Sequence, residues 1–246
     1  MSSENWWAPN KLKEAEEKAR QTGDLNSIEG DFGAYRKALL NGIQGSQAED
    51  HNDINPLIKI DALSRVLHIK NPSSILDVGC GLDIAAGAMT QYFPGAKVMG
   101  VDISEDAIAY AKIHYPNTEF SAVTISPKMQ KLGSFDYIFC FEFYPFTRNR
   151  DAEAQAEFLK CLGDQLAING KIIIYQKWNE PESLSAIYKS VQTLLPNLSI
   201  SVRSMPAPRL MNKLPYWIAY IAAVCLSIAL QREILRKYFV VQKIFN

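Results

Sequence analysis

Two glycines and an aspartate have the types and spacing of a turn that binds a ligand against the protein backbone. Gly79 and Gly81 end an apolar run, ILDVGCG, whose composition is typical of a short buried strand. Glycine at these positions lets a ligand approach the main chain, because a β-carbon would intrude. Asp102 stands 21 residues after Gly81, near the end of a second apolar run, KVMGVDIS. A carboxylate there can accept hydrogen bonds from both hydroxyls of a ribose.

A dinucleotide-binding turn is the competing interpretation of the same glycines. That turn has the pattern G-x-G-x-x-G and places a pyrophosphate at a helix N-terminus. Here Ile84 stands at the position of the third glycine, and Asp83 adds a negative charge where a phosphate would lie. These two residues favour a nucleoside ligand that carries no pyrophosphate.

The segments around these residues alternate between strand-like and helix-like patterns from residue 72 to 205. Short apolar runs bounded by turn residues indicate strands, and longer runs with apolar residues every three or four positions indicate helices. One long helix is predicted over 151–170, closed by Asn169 and Gly170. The alternation predicts an α/β fold with a parallel sheet covered by helices on both faces.

In order and spacing, residues 55–205 resemble the class I S-adenosylmethionine-dependent methyltransferases. The first motif of that family is an acid followed by G-x-G, as in LDVGCG from Leu76 to Gly81, and the second is the acid at Asp102. An FD pair precedes the fourth strand, as in FDYIFCFE, and N-G precedes the fifth, as in INGKIIIYQK. The resemblance implies a Rossmann-like, seven-stranded, mostly parallel sheet with an antiparallel last strand.

The resemblance also implies a cofactor, S-adenosyl-L-methionine, and the residues that contact it. Asp77 would lie near the methionine amino group, Gly79 and Gly81 would pass under the methionyl part, and Asp102 would bind the ribose. The predicted cofactor-binding residues are Asp77, Gly79, Cys80, Gly81, Asp102 and Ile103.

The acceptor site is expected after the fourth strand, in EFYPFTR. Methyl transfer from a sulfonium is an in-line displacement, so the protein contributes mainly placement and desolvation of the nucleophile. Glu142 and Tyr144 are the catalytic candidates, and the substrate-binding candidates are Phe143, Phe146 and Arg148, whose guanidinium suits a carboxylate or phosphate. The alternative is an ordinary loop packed by aromatic residues, with Glu142 and Arg148 at the surface.

A third catalytic candidate, His51, lies in the polar link before the helix PLIKIDALSRVLHI. Its imidazole would serve as a base near neutral pH. We expect residues 1–54 to form an N-terminal helical extension or cap. The methyltransferase domain would then cover 55–246, with a helical insertion at about 206–236.

Composition argues against several other classes of function. The net charge is zero, so no overall field favours nucleic acid or anionic lipid, although a local basic patch is still compatible with it. Cys80, Cys140, Cys161 and Cys225 form no CxxC pair, so we expect no metal site. The first twenty residues lack the apolar core of a secretory signal, and we expect a cytoplasmic protein, with the membrane surface as the alternative.

Residues 214–230, LPYWIAYIAAVCLSIAL, contain no charged residue. The run is at the lower limit for a membrane span, and it separates two strands of one sheet, which a single span would place on opposite sides of the bilayer. Three interpretations stay open. In the first, the helix covers an apolar acceptor pocket as a lid. In the second, it packs against the domain or against a second copy in a homodimer, and in the third it lies in the membrane interface.

The preferred hypothesis is a methyltransferase of a small, partly apolar molecule, with O- or N-methylation as the reaction. A peripheral membrane methyltransferase of a lipid or lipid-linked acceptor is the first alternative, motivated by residues 214–230. A non-catalytic cofactor-binding or partner subunit is the second. It is motivated by Asp83, where the family often has glycine, and by a third strand that offers only Ser121, Thr124 and Ser126 in place of an acid.

Overall fold

The computed structural model of the chain describes residues 56–81, 84–126, 129–141, 143, 146, 152–175, 181–206, 213–229 and 235–244. The predicted N-terminal extension lies outside these residues. So do four of the predicted site residues: His51, Glu142, Tyr144 and Arg148.

A seven-stranded sheet forms the centre of the described structure, and its order is β3-β2-β1-β4-β5-β7-β6. β7 is antiparallel to both of its neighbours, whereas the other paired strands are parallel. The predicted Rossmann-like sheet with an antiparallel last strand is therefore confirmed. The strands are β1 (Ser74–Val78), β2 (Lys97–Asp102), β3 (Glu119–Ala122), β4 (Phe135–Phe141), β5 (Leu166–Tyr175), β6 (Leu198–Pro206) and β7 (Leu235–Lys243).

Helices cover both faces of this sheet. Successive strand residues point to opposite sides, so each face carries apolar side chains that a helix can bury. The helices are α1 (Pro56–Leu67), α2 (Ile84–Tyr92), α3 (Glu105–His114), α4 (Ala152–Asp164), α5 (Pro181–Leu194) and α6 (Tyr216–Ala229). On the first face, α1, α2, α3 and α6 pack on strand residues such as Ile75 and Phe139. On the second face, α4 and α5 pack on Leu76, Ile138 and their neighbours.

The helix predicted over 151–170 is wrong at its C-terminal end. α4 ends at Asp164 and β5 begins at Leu166, so Asn169 and Gly170 belong to the sheet. Asn169 has φ +64°, and a β-carbon on Gly170 would come within 2.7 Å of the Phe135 carbonyl oxygen. The pair forms an irregularity where the register between β4 and β5 shifts. The helical pattern of the sequence could not reveal this, because the partner strand lies earlier in the chain.

The FD pair, expected before the fourth strand, forms the first two residues of β4 and has a structural role at the amino edge of the sheet. Asp136 Oδ2 accepts hydrogen bonds from the backbone N–H groups of Ser73 (2.7 Å) and Ser74 (3.2 Å). The Ser74 hydroxyl in turn accepts from the Asp136 N–H at 3.2 Å and donates to the Ser134 carbonyl at 3.0 Å. These bonds join the starts of β1 and β4.

The insertion that contains α6 leaves and re-enters the sheet at one position. Pro206, the last residue of β6, pairs with Leu235, the first residue of β7. Since β6 runs in the same direction as β1, β2, β4 and β5, this pair lies at the carboxyl edge of the parallel strands. Among the residues that the structure describes, no helix is both long and apolar enough to cross a bilayer.

Candidate functional site

The turn between β1 and α2 has the backbone shape that its glycines predict. Gly79 has φ +72° and Gly81 has φ +65°, a region that residues with a β-carbon rarely adopt. The N–H groups of Gly79 and Cys80 both donate to the Val101 carbonyl oxygen, at 2.9 and 3.0 Å. The turn is therefore fixed against the end of β2, where Asp102 follows.

Asp102 joins this turn to the start of α3. Its side chain is buried, with 3% of its surface exposed. Oδ2 accepts a hydrogen bond from the Gly81 N–H at 2.9 Å, and Oδ1 accepts one from the Ser104 N–H at 2.9 Å. These two bonds fix the Asp102 carboxylate at the end of β2, directly beside the glycine turn. Ser104 also caps α3, because its hydroxyl accepts from the Ala107 N–H at 3.3 Å.

Cys80 and Ile103 flank these polar groups. Cys80 is buried, and its Sγ lies 3.1 Å from the place where a β-carbon on Gly100 would stand. The same β-carbon would meet the Phe120 ring at 2.7 Å, so Gly100 is required for this packing. Cys80 therefore offers a ligand its backbone, whereas Ile103 is half-buried and follows Asp102 directly.

Asp77 lies on the first face of the sheet and is 1% exposed. In register it stands between Gly100 of β2 and Phe139 of β4. Burial, and second the charge of Asp77, raise the pKa of the Cys140 thiol well above its usual value. Cys140 is therefore a protonated thiol near neutral pH and is a poor nucleophile.

Phe143 covers the glycine turn from the β4 side. A β-carbon on Gly79 would stand 2.7 Å from Phe143 Cδ2. The Phe143 ring is positioned by edge-on contacts with Phe146 and Phe158, whose centroids lie 5.7 and 6.0 Å away. Phe146 is completely buried, so in this structure it supports Phe143 from the core. That either ring contacts an acceptor remains a prediction.

Residues 69–223 match the family model described as a methyltransferase domain. This match covers more than half of the chain. The chain belongs to the methyltransferase-domain family. The sequence-based assignment to S-adenosylmethionine-dependent methyltransferases is therefore confirmed at the level of family and fold.

The curated relatives that match the chain do so over part of their length. The chain is 29% identical over 109 residues to a ubiquinone biosynthesis O-methyltransferase of Dechloromonas aromatica, which is 42% of this chain and 45% of that protein. The chain thus spans less than half the length of the curated relatives that it matches.

Two solved structures share the fold across most of the chain. A TehB-like SAM-dependent methyltransferase from Corynebacterium glutamicum has a TM-score of 0.54 at 18% identity, covering 86% of this chain and 99% of that one. The plantazolicin methyltransferase BpumL, crystallised with a triazolic desmethylPZN analog and SAH, has a TM-score of 0.55 at 17% identity. That match covers 96% of this chain and 100% of BpumL.

A cluster that was not predicted from the sequence lies at the same carboxyl edge of the sheet as the glycine turn, and we call it the Lys59 cluster. It consists of Lys59, in the first turn of α1, and the last residues of β4 and β5, Phe141 and Tyr175. The Lys59 ammonium lies 4.8 Å from the centroid of the Phe141 ring and 5.6 Å from that of Tyr175. Both rings are buried and meet edge-on at 6.1 Å. The aromatic residues at the ends of β4 and β5 could have indicated this cluster from the sequence. A single lysine on an amphipathic helix could not.

Proposed function

We propose that the protein is an S-adenosylmethionine-dependent methyltransferase that acts on a small, partly apolar acceptor, with O- or N-methylation as the reaction. The observation that carries the proposal is the unit made by the two left-handed glycines and the buried Asp102 carboxylate. Such a unit fits a nucleoside cofactor, because it combines a turn whose glycines carry no β-carbon with a buried carboxylate at the end of the second strand.

The cofactor supplies an electrophilic methyl carbon on a sulfonium. In this proposal Asp102 accepts hydrogen bonds from the ribose hydroxyls, and the backbone from Gly79 to Gly81 makes room for the methionyl part. Phe143 excludes water from the same side, since its ring already covers Gly79. Asp77 supplies negative charge for the methionine ammonium.

The acceptor's oxygen or nitrogen lone pair forms the new bond to the methyl carbon as the carbon–sulfur bond breaks, and that bonding pair stays on sulfur. A hydroxyl acceptor must also lose its proton, for which Glu142 and His51 are the proposed bases and Tyr144 the orienting group. The Lys59 cluster supports an aromatic acceptor, because it combines buried rings with a cation able to stabilise a phenolate. Phe143 and Arg148 are proposed to help bind this acceptor, with Phe146 positioning the Phe143 ring from the core.

Names of the relatives agree with this acceptor class. The curated relatives include O-methyltransferases of ubiquinone biosynthesis, and BpumL was crystallised with a triazolic desmethylPZN analog. These names support the proposal as to the class of reaction, O-methylation.

Transfer of labelled methyl from S-adenosylmethionine to a panel of phenols and amines tests the proposal, with binding measured in parallel by calorimetry. We expect binding of the cofactor and turnover on at least one phenol or amine. Glu142→Gln and His51→Gln should each lower kcat if that residue is the base. Absence of cofactor binding contradicts the proposal. Cofactor binding without turnover on any acceptor favours the non-catalytic subunit instead.

A further inference from the structure

The insertion helix α6 presents an apolar face to solvent. Its small residues Ala219 and Ala223 are completely buried, and Ala219 belongs to the first-face core together with Met205 and Tyr238. The opposite side carries large apolar residues at helical spacing. We call this side the outward face; it consists of Trp217 (65% exposed), Tyr220 (37%), Ile221 (56%) and Ile228 (75%).

Strong positive charge accompanies this helix in the sequence. From residue 198 to 246 the chain has seven Lys or Arg residues and one acid, Glu233, which is a net charge of +6. Because the whole chain is neutral, residues 1–197 carry the compensating −6. Two of these cations lie at described, exposed positions next to α6, Lys213 just before the helix and Arg203 on β6.

We infer that the outward face of α6 docks on the surface of an anionic phospholipid membrane. Aromatic and aliphatic side chains on one side of a helix, with basic residues around them, match a helix that lies in the interface plane. The basic residues add electrostatic attraction to anionic headgroups.

Charge also argues for a lipid partner over a second copy of the chain. A two-fold contact through the outward face would bring two identical basic segments together. Those like charges repel each other, whereas an anionic bilayer neutralises them. The geometry fits as well, since a helix of this length is about 21 Å long. The inserted segment leaves the sheet at Pro206 and re-enters it at Leu235, which are paired, so α6 and the sheet stay on the same side of a membrane.

Docking in this way places the carboxyl edge of the sheet near the membrane, because α6 is attached at that edge. If the proposed methyltransferase function is correct, an acceptor dissolved in the membrane interface would reach the Lys59 cluster directly. The docking inference itself does not require turnover and is tested by binding alone.

Vesicle flotation of the full chain tests the inference, with vesicles of phosphatidylcholine alone and with about 30 mol % phosphatidylglycerol. Wild-type protein should float with the anionic vesicles and be released at about 0.5 M salt, where charges are screened. Trp217→Ser combined with Ile221→Ser should lower the bound fraction about tenfold or more, because it removes two inserting side chains.

Ile113→Ser combined with Ile168→Ser is the matched control. These residues are 77% and 80% exposed, but they lie on α3 and β5, away from the outward face. The control pair should bind vesicles as the wild type does. Circular dichroism and cofactor calorimetry on both pairs show whether fold and cofactor site are intact, so a failure of docking is distinguished from a failure of the proposed function.

Three results overturn the inference. The first is wild-type protein that does not float with anionic vesicles, and the second is equal binding to both vesicle types. The third is a dimer in light scattering that Trp217→Ser with Ile221→Ser converts to monomer, because the outward face would then be covered by a second copy.

Discussion

The Asp102 carboxylate and the Gly81 N–H are joined by a hydrogen bond of 2.9 Å. This bond connects the end of β2 to the turn after β1, and the second oxygen of Asp102 connects the same point to the start of α3 through Ser104. Under the proposed function, one buried side chain thus organises the contacts to both the ribose and the methionyl part of the cofactor.

Gly79→Ala should destabilise the protein and weaken cofactor binding. The left-handed backbone at residue 79 costs about 1–2 kcal/mol for a residue with a β-carbon. The new methyl group would also displace the Phe143 ring, so the total loss in the free energy of unfolding should exceed that figure. Denaturant unfolding measures this loss.

Gly95→Ala is the matched control, because a β-carbon there meets nothing within 4 Å. It should change stability by no more than about 0.5 kcal/mol. Adding Phe143→Ala to Gly79→Ala should remove the steric conflict and leave the backbone cost. Equal stability losses for the two glycine variants would mean that the described turn is wrong.

Ionisation of Tyr238 should lower stability at alkaline pH. Burial first, and then the neighbouring Tyr216, raise the pKa of Tyr238 to about 12 from 10.0, while Arg203 acts in the opposite direction. Since the folded state keeps this proton longer than the unfolded chain, its contribution is complete below pH 10 and is lost as pH rises to about 12. The whole effect is at most about 2–3 kcal/mol.

Comparison of wild type with Tyr238→Phe isolates this contribution from that of other tyrosines. Urea unfolding at pH 9, 10 and 11 should show a steeper loss of stability for wild type than for the variant. Parallel curves across this range would show that Tyr238 is not the group responsible.

The Cys225 thiol should react faster with thiol reagents than the other three cysteines do. Cys225 on α6 is exposed, whereas Cys80, Cys140 and Cys161 are buried. Burial is also the main cause that raises the pKa of Cys161, which lowers its thiolate fraction. A thiol reagent such as DTNB should therefore react rapidly with one group in the native protein and with four after denaturation.

Cys225→Ser should abolish the rapid phase and leave the slow reactions unchanged. A rapid phase that persists in this variant would place a second cysteine at the surface and would contradict the packing of β1, β4 or α4.

Much of the architecture was accessible from the sequence, because the signals are local. Apolar runs identified the strands, and the cap at Ser104 lies within three residues of the N–H group that it binds. The start of β5 was missed, since Leu166 is drawn into the sheet by pairing with Phe135, a contact that no local pattern contains.

In the candidate site, too, the residues close in sequence were predictable and the contacts between separate elements were not. Gly79, Gly81 and Asp102 were predicted from residue type and spacing. The Phe143 ring over Gly79 and the Lys59 cluster depend on side chains from separate elements meeting at the carboxyl edge. Only the three-dimensional packing brings those residues together.

Asp136 provides a close structural control for Asp102. Each carboxylate accepts two backbone N–H groups, but Asp136 lies at the amino edge of the sheet and Asp102 at the carboxyl edge. Asp136 accepts both N–H groups on Oδ2, so the amide oxygen of an asparagine can keep both bonds, whereas Asp102 uses both oxygens and an asparagine there would place its NH2 group against one N–H donor. Asp102→Asn should therefore cost about 1–3 kcal/mol of stability, and Asp136→Asn should cost less.

The affinity for S-adenosylmethionine of Asp102→Asn and Asp136→Asn, measured by calorimetry below the unfolding temperature of both, tests the central claim most directly. We predict that Asp102→Asn weakens binding by about tenfold or more, which is a loss of about 1.4 kcal/mol, and that Asp136→Asn binds as wild type does. Wild-type affinity in Asp102→Asn, or an equal loss in both variants, would contradict the assignment of Asp102 and its glycine turn as the cofactor site.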